Sequence, residues 1–371
     1  MRMSMSRSTF RRNTHMAISV SLALFMVHSN QVGIGIAGVQ RFIYDRVQQD
    51  AWISVIIAGI MTHIAAWFML KILAKFKDMD LYDIHQTVFG KWPARVLNFI
   101  FIVYIMGSAL TILRGYIEII QSWMFPGVPS WVLNASLLCL AIYGVTGGIR
   151  VLAGISFFSV GLTVWQLLLL VYPMQYADFH LLQPVFHHDL VELMDGAKKM
   201  SFSIIGFEII LFIYPFVKEK EMLPRYVHGG LFMTTFLYVA VMLVTLLYFQ
   251  GEQLQHLIWA TLMMMKIVEF PFLERFEFVS ISLWMLIMLD NLLMNLWVAM
   301  RGVHHISGVK ERMALIGIVG VMFFASNFLE TRQSINLITD IFGGVGFYII
   351  FIYPIVLYVV IRLFRKGAVR T

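Results

Sequence analysis

Ten stretches of mostly apolar residues follow one another along the chain, and each is long enough to cross a bilayer as a helix of about 20 residues. Only 13% of the 371 residues are charged, whereas soluble domains carry roughly 25%. We therefore predict an all-α integral membrane protein. Its ten transmembrane helices, named span 1 to span 10 in chain order, are predicted at about 15–38, 51–74, 96–122, 131–147, 150–173, 200–217, 227–250, 276–300, 313–328 and 335–362.

The connections between these spans are too short for a separate soluble domain, so we treat residues 1–371 as a single transmembrane domain. The connection 77–95 is predicted to form a short interfacial helix that ends at Gly90. The connection 252–275 is amphipathic and is expected to lie on the membrane surface or to cap a vestibule.

Spans 1 and 6 are interrupted by polar, glycine-containing segments, Ser29–Gly35 and Ser201–Glu208. In lipid, a backbone that leaves helical geometry must find other hydrogen-bond partners, so such breaks persist where they line a cavity. Breaks at corresponding positions of two halves indicate a transporter-type ligand site near mid-membrane. Because paired breaks of this kind are typical of inverted repeats, we predict two inverted five-helix repeats, about 15–173 and 200–362, with broken helices 1 and 6.

In the first break, Gly33 and Gly35 would let the chain unwind and then restart a helix. The free N–H groups of the restarted half-helix favour an anion such as a substrate carboxylate. Asn30 and Gln31 would bind the freed backbone groups or the ligand. The alternative is that the glycines only allow close helix packing.

In the second break, the backbone carbonyls freed around Ser203–Gly206 would suit an ammonium group. Together the two breaks describe a site for a free amino acid. Glu208 is costly to bury in a membrane. It is interpreted either as a proton-linked or gating group, or partner of Arg114, or as a structural acid that fixes helix packing.

Other polar residues inside the spans have two interpretations each. Asp290, beside Asn291 in span 8, would hold a cation or a proton, or would cap the freed backbone of span 1. Arg114 and Glu118 lie four residues apart on one helix face, and we expect them to pair with each other.

The 28 Lys and Arg exceed the 21 Asp and Glu, but they lie mostly in short connections. They therefore indicate contacts with membrane lipid and an orientation with both termini in the cytoplasm, and no nucleic acid is expected. The single cysteine, Cys139, lies in an apolar run, and no spacing of ligand residues predicts a metal site. No phosphate loop, catalytic triad or haem motif occurs, so we expect neither an enzyme nor a cofactor.

Several motifs resemble the spore germination family of the amino acid–polyamine–organocation superfamily. They are QVGIGIAG in span 1, QDAWI at the start of span 2, FSIIGFEIILFIYPFVK in span 6 and HLIWATLMMMKIVEFPFLERFEF before span 8. The resemblance covers essentially the whole chain. It implies the B subunit of a spore germinant receptor, with an amino-acid permease fold.

The resemblance further implies a protein of the spore inner membrane that works with an A subunit and a lipoprotein C subunit. Such subunits sense a small-molecule germinant, often an amino acid, and trigger germination. By matching motif, the germinant contacts would fall on Gly33, Ile34, Gly35, Ser203, Gly206 and Phe207.

Two other functions need the same cavity. The first is a proton-coupled amino-acid permease that uses Glu208 or Asp290. The second is a conducting subunit that passes water or ions once the nutrient is bound. The residues alone do not separate these from a receptor.

Overall fold

The computed structural model describes residues 17–270 and 275–368, with side chains described up to residue 363. Within these ranges the chain is helical, and its one strand-like pairing is a parallel bridge between Ile18 and Val217. The predicted all-α class is confirmed. Residues 1–16, with the basic N-terminus and the start of span 1, most of the FPFLER motif (271–274) and the last three residues (369–371) lie outside the described residues.

The first half of the chain holds spans 1 to 5. Its α-helices are Val20–Gln31, Val39–Val47, Ala51–Lys75, Leu81–Phe89, Lys91–Trp123, Ser130–Thr146, Ile149–Thr163 and Val171–Met174. Turns of 3₁₀-helix lie between them at Ile34–Ala37, Gln48–Asp50 and Val164–Leu170.

The connection to the second half contains a 3₁₀ turn, Phe179–Leu182, and the helix Leu190–Lys199. The α-helices that follow are Ser201–Ile204, Ile210–Ile213, Leu223–Tyr248, Gly251–His256, Ala260–Met265, Phe276–Ser307, Glu311–Phe328, Arg332–Gly346 and Tyr353–Ala368. Span 6 also contains the 3₁₀ turns Phe207–Ile209 and Tyr214–Phe216, and span 10 contains a π-helical stretch, Phe347–Ile352.

By length and composition, seven of the described helices could cross a membrane, and one of them, Val39–Lys75, joins the end of span 1 to span 2. Two further apolar helices are shorter, Ser130–Thr146 and Phe207–Phe216. Fewer long helices are found than the ten predicted spans because the helix of span 4 is short and the breaks divide spans 1 and 6 into shorter helices. The ten predicted segments all contain helix. The repeat boundaries at 15–173 and 200–362 stay a prediction.

Span 8 is the most buried of the seven long helices, and it packs against spans 1, 3 and 5. Span 1 in turn packs against spans 5 and 7, so its break lies among other helices rather than against lipid. Large apolar side chains such as Trp92, Tyr143 and Phe328 are exposed on the outside of the bundle. This distribution is that of a multi-pass membrane protein, because lipid solvates the apolar exterior.

On the predicted inner side, the helix Leu81–Phe89 forms as expected and ends at Gly90, which has φ +80°. His85 bonds through Nδ1 to the Asn98 Oδ1 atom at 2.6 Å and through Nε2 to the Tyr353 hydroxyl at 2.6 Å. Burial lowers the pKa of His85 to about 4, so its ring is neutral at pH 7. These bonds tie the interfacial helix to spans 3 and 10.

On the predicted outer side, the connection 251–265 lies against the break of span 1. The Thr261 hydroxyl donates to the Ile36 carbonyl oxygen at 2.6 Å, and the Gln40 amide donates to the Thr261 hydroxyl at 2.7 Å. The same connection lines an open vestibule with Ile258 and Trp259. Of the two locations expected for this segment, the structure therefore favours the rim of a vestibule.

Candidate ligand site between the two helix breaks

The break of span 1 separates the helix Val20–Gln31 from the helix that resumes at Val39. Gly33 is extended, with φ −97° and ψ −157°, and a 3₁₀ turn follows at Ile34–Ala37. The first N–H groups of such a turn have no acceptor within it. They are therefore available to another partner, as the sequence predicts.

The break of span 6 is sharper. Ser201–Ile204 forms a single helical turn, Ile205 is extended, and Gly206 has φ +113°. Only glycine adopts this backbone conformation without strain. The helix then restarts with the 3₁₀ turn Phe207–Ile209.

The two breaks bind each other directly. The Asn30 side-chain N–H donates to the Gly206 carbonyl oxygen at 2.6 Å, and the Gln31 side-chain N–H donates to the Ile204 carbonyl oxygen at 2.6 Å. Two of the carbonyls that the sequence offers to a ligand ammonium group, those of Ile204 and Gly206, thus already have protein partners. The amide nitrogens must face these carbonyls, so the amide oxygens point elsewhere, and both are buried without a hydrogen-bond partner among the described residues.

Span 8 supports the first break through Asn291. Its side-chain N–H group donates to the Ser29 carbonyl oxygen at 2.8 Å and lies 3.4 Å from the Val32 carbonyl oxygen. The sequence assigns backbone capping to Asp290 as one of two roles. The structure gives that role to its neighbour, because the carbonyls require a donor and a carboxylate offers none.

The glycines of the breaks have different surroundings. A Cβ atom added at Gly35 would overlap the Ser203 side chain, and one added at Gly206 would overlap the Asn30 carbonyl group. A Cβ atom at Gly33 would meet no protein atom within 4 Å. Gly35 and Gly206 are therefore required for packing, whereas Gly33 borders open space.

That open space is a cavity of about 30 Å³ between the breaks. It is lined by Asn30, Gln31, Gly33, Ile34, Gly35, Ser108, Ile112, Phe202, Ile205, Gly206, Glu208, Asn291 and Asn295. Such a volume holds a few water molecules at most. A larger ligand must therefore enlarge the cavity toward the vestibule, with which it shares Ile34, Gly35 and Phe202.

Glu208 contributes a carboxylate to the wall of the cavity. It accepts a hydrogen bond from the Gly206 backbone N–H at 2.6 Å and lies 3.3 Å from the Tyr104 hydroxyl. With the unpartnered amide oxygens of Asn30 and Gln31, it makes this wall rich in acceptors. The chemistry favours a ligand that donates hydrogen bonds, such as an ammonium group.

Asp290 lies outside this cavity, on another face of span 8 from Asn291. One carboxylate oxygen accepts from the Ser156 hydroxyl at 2.9 Å, and the other is buried without a partner among the described residues. Of the other predicted contacts, Ser203 lines the vestibule rather than the cavity, and Phe207 is fully buried against the Phe351 ring.

The expected pairing of Arg114 with Glu118 is wrong. Glu118 binds Arg332 at the start of span 10, with 2.6 Å between Oε2 and Nη1. Arg114 is buried, and its Nε and Nη1 atoms have no hydrogen-bond partner among the described residues. A partnership of Arg114 with Glu208 is also absent from the described hydrogen bonds.

Sequence reasoning expects spans 1, 3, 6, 8 and 10 to set the pocket volume, but it does not identify Ser108, Ile112 or Asn295 as lining residues. Ser108 and Ile112 lie four residues apart on span 3, and Asn291 and Asn295 have the same spacing on span 8. Spacing of this kind places two side chains on one helix face. Two asparagines four residues apart inside an apolar span are the signal that could have identified the pair on span 8.

Comparison with known proteins gives a consistent result. A family model described as "Spore germination protein" matches residues 17–335. The spore germination protein GerQB of Bacillus cereus is 39% identical over 343 residues, which are 92% of this chain and 95% of the relative. Spore germination protein A2 of Bacillus subtilis is 22% identical over 98% of this chain and 99% of its own length.

Two solved structures share the fold at low sequence identity. A Na⁺-coupled sialic acid symporter, in a substrate-bound outward-open state, aligns with a TM-score of 0.65 at 11% identity, over 89% of this chain and 76% of the symporter. MhsT in complex with L-phenylalanine aligns with a TM-score of 0.60 at 13% identity, over 92% of this chain and 88% of MhsT. These similarities establish a permease-like membrane fold.

Proposed function

The chain belongs to the spore germination protein family, and we propose from this premise that it is the nutrient-sensing transmembrane subunit of a spore germinant receptor. It binds a small germinant, an amino acid, between the breaks of spans 1 and 6. It acts in the spore inner membrane with both termini on the core side. Its partners are a receptor A subunit and a lipoprotein C subunit.

The observation that carries this proposal is the cavity that the two breaks enclose. One wall presents acceptors, namely Glu208 and the free amide oxygens of Asn30 and Gln31. The turn at Ile34–Ala37 also contributes to the lining through Ile34, and its first N–H groups lack acceptors within the turn. An ammonium group at the acceptors and a carboxylate at the N–H groups would satisfy both, which is the pattern of a free amino acid.

The ligand must also change the protein for a receptor to signal. The cavity of about 30 Å³ is smaller than an amino acid, so binding requires movement of the groups that divide it from the vestibule. Phe202 lines both spaces and lies in the short turn just before Gly206. Ligand binding would therefore act on the break of span 6 and shift its conformation.

A deletion strain tests the proposal. Its spores are exposed to a panel of amino acids while dipicolinate release is followed, and its growing cells are tested for uptake of the same radiolabelled amino acids. Loss of release in response to one or a few amino acids, with normal uptake, is the expected result. Normal release from the spores would contradict the receptor function.

A second candidate function is a proton-coupled amino-acid permease, and Asp290 favours it. A buried carboxylate with one unpartnered oxygen is a group that binds a proton or a cation in membrane transporters. In this case the deletion strain loses uptake and germinates normally. Replacement of Asp290 by Asn then abolishes uptake driven by a pH gradient, while exchange of labelled for unlabelled amino acid persists.

Tagged subunits test the proposed assembly. Purification of this chain from dormant spore membranes under mild detergent is expected to recover an A subunit and a lipoprotein. Recovery of this chain alone, from preparations in which all three proteins are present, would contradict the hetero-oligomer.

A further inference from the structure

The vestibule on the predicted outer side is a second space, separate from the cavity between the breaks. Its volume is about 460 Å³, within the range of pockets that hold small organic molecules. Trp259 and Phe347 contribute aromatic walls, and Asn336 and Thr339 add polar groups. A space of this size and lining can bind a whole small molecule, and it need not serve only as an entrance to the cavity between the breaks.

Three of the six charged residues that line the vestibule have an ion pair among the described residues. Arg46 lies 3.5 Å from Asp195, and Arg332 lies 2.6 Å from Glu118. The exposed Asp340 is the one other acid on the wall.

Lys198 and Lys199 also line the vestibule, and neither has an ion pair among the described residues. Two unpaired lysines against one unpaired aspartate leave the space with a net positive charge. A positively charged cleft with low-dielectric walls concentrates anions.

A purely structural role for the two lysines accounts for only part of their geometry. They end the helix Leu190–Lys199, where a positive charge stabilises the helix dipole. That role does not require the two side chains to face the vestibule. Both lysines are exposed and line the vestibule, and the Lys198 ammonium group lies 5.7 Å from the centre of the Phe347 ring.

We propose that the vestibule is a separate binding station for small organic carboxylates, held by Lys198 and Lys199 beside the aromatic walls. The ammonium groups donate charge-assisted hydrogen bonds to the carboxylate. The apolar part of the ligand packs on Trp259 and Phe347. This station goes beyond the proposed germinant site, because it needs none of the groups of the two breaks.

Trp259 makes the proposal measurable, because its ring lines the vestibule. The full chain in lipid nanodiscs is titrated with butyrate, and the signal of Trp259 is taken as the difference between the wild type and the W259F variant. Butylammonium and butanol serve as probes of equal chain length without a negative charge. We expect saturable binding of butyrate and at least a tenfold weaker response to the other two.

The double variant K198Q/K199Q is expected to weaken butyrate binding at least fivefold. The matched control is Lys266→Gln, an exposed lysine of the other outer connection, 252–275, that does not line the vestibule, and it should leave binding unchanged. Equal responses to butyrate and butylammonium would overturn the proposal. So would unchanged butyrate binding in the double variant.

A further variant separates this station from the germinant site. Gly33→Leu fills the cavity between the breaks, so it should weaken the germinant response about tenfold or more and keep butyrate binding in the vestibule. Loss of both would mean that the two spaces form one site, which would also overturn a separate station. A normal germinant response in this variant would count against the proposed function only.

Discussion

The two breaks interrupt their helices by different means. The break of span 1 uses glycines with negative φ, and Gly33 faces an open cavity. The break of span 6 turns on Gly206, which has φ +113° and lies against the Asn30 carbonyl group. The first break therefore makes room for a ligand, whereas the second is fixed by contact with the first. A glycine in a broken membrane helix can serve either purpose, and only its surroundings distinguish them.

The largest effect is expected for Gly206→Ala. The positive φ costs about 1–3 kcal/mol for a residue with a Cβ atom, and overlap with Asn30 adds to this cost. We expect a loss of at least about 3 kcal/mol in the free energy of unfolding, seen as a lower melting temperature and little protein in the membrane. The control is Gly154→Ala, where a Cβ atom meets nothing within 4 Å. Equal stability of the two variants would remove the distinction between the breaks.

Asn291→Ala should have the next largest effect on stability. It removes the donor for the Ser29 carbonyl oxygen and leaves buried acceptors of the first break without a partner. The expected loss is about 1–3 kcal/mol, measured by thermal unfolding in detergent. Ser136→Ala is the control, since this exposed hydroxyl bonds only within its own helix. A change smaller than in the control would mean that the first break holds its shape without span 8.

Gly33→Leu tests the functional side of the comparison. Only the Cβ atom of the new side chain is free of protein contacts within 4 Å. The rest of the side chain occupies the cavity of about 30 Å³ and displaces its lining, so accumulation in the membrane and melting temperature are measured together with the response. The concentration of germinant for half-maximal dipicolinate release should rise about tenfold or more, which is 1.4 kcal/mol of binding energy. Gly33→Ala should give a smaller shift. An unchanged dose–response curve with Leu would exclude the first break from ligand binding.

Glu208→Gln should have the smallest effect on stability, about 1 kcal/mol or less. The amide oxygen can still accept from the Gly206 N–H group, and the amide N–H group then faces the Tyr104 hydroxyl, which can accept a hydrogen bond, so the second break keeps its geometry. The charge on the cavity wall is lost, and we expect the half-maximal germinant concentration or its pH dependence to change. If protein level falls and the response per molecule stays the same, Glu208 is a structural acid.

The sequence predicts the general architecture well, for identifiable reasons. Apolar length determines where helices cross the membrane, and the predicted all-α membrane fold is confirmed. The spore germination family, predicted from motifs in spans 1, 2 and 6 and before span 8, is confirmed by the family model. Seven helices are long enough to be recognised as membrane spans by length and composition. The helix of span 4 has only 17 residues, and the breaks divide spans 1 and 6 into shorter helices. The interfacial helix ending at Gly90 is confirmed because its stop signal is local.

The site is harder to predict because its bonds join distant parts of the chain. No local pattern indicates that Asn30 binds Gly206 and thereby occupies a carbonyl that a ligand would otherwise use. The pairing of Glu118 with Arg332 likewise prevails over a plausible partner four residues away, since span 10 brings the more accessible arginine. Spacing along one helix predicts which residues share a face, but not which neighbouring helix meets that face.

The bonds between the breaks also have a consequence for biosynthesis. Asn30 and Gly206 are 176 positions apart, so span 1 leaves the ribosome long before its partner exists. Until then, its polar amides and opened backbone are costly to expose to lipid. We expect span 1 to stay beside the insertion machinery during synthesis. The first helix of this protein is complete only after the sixth has entered the membrane.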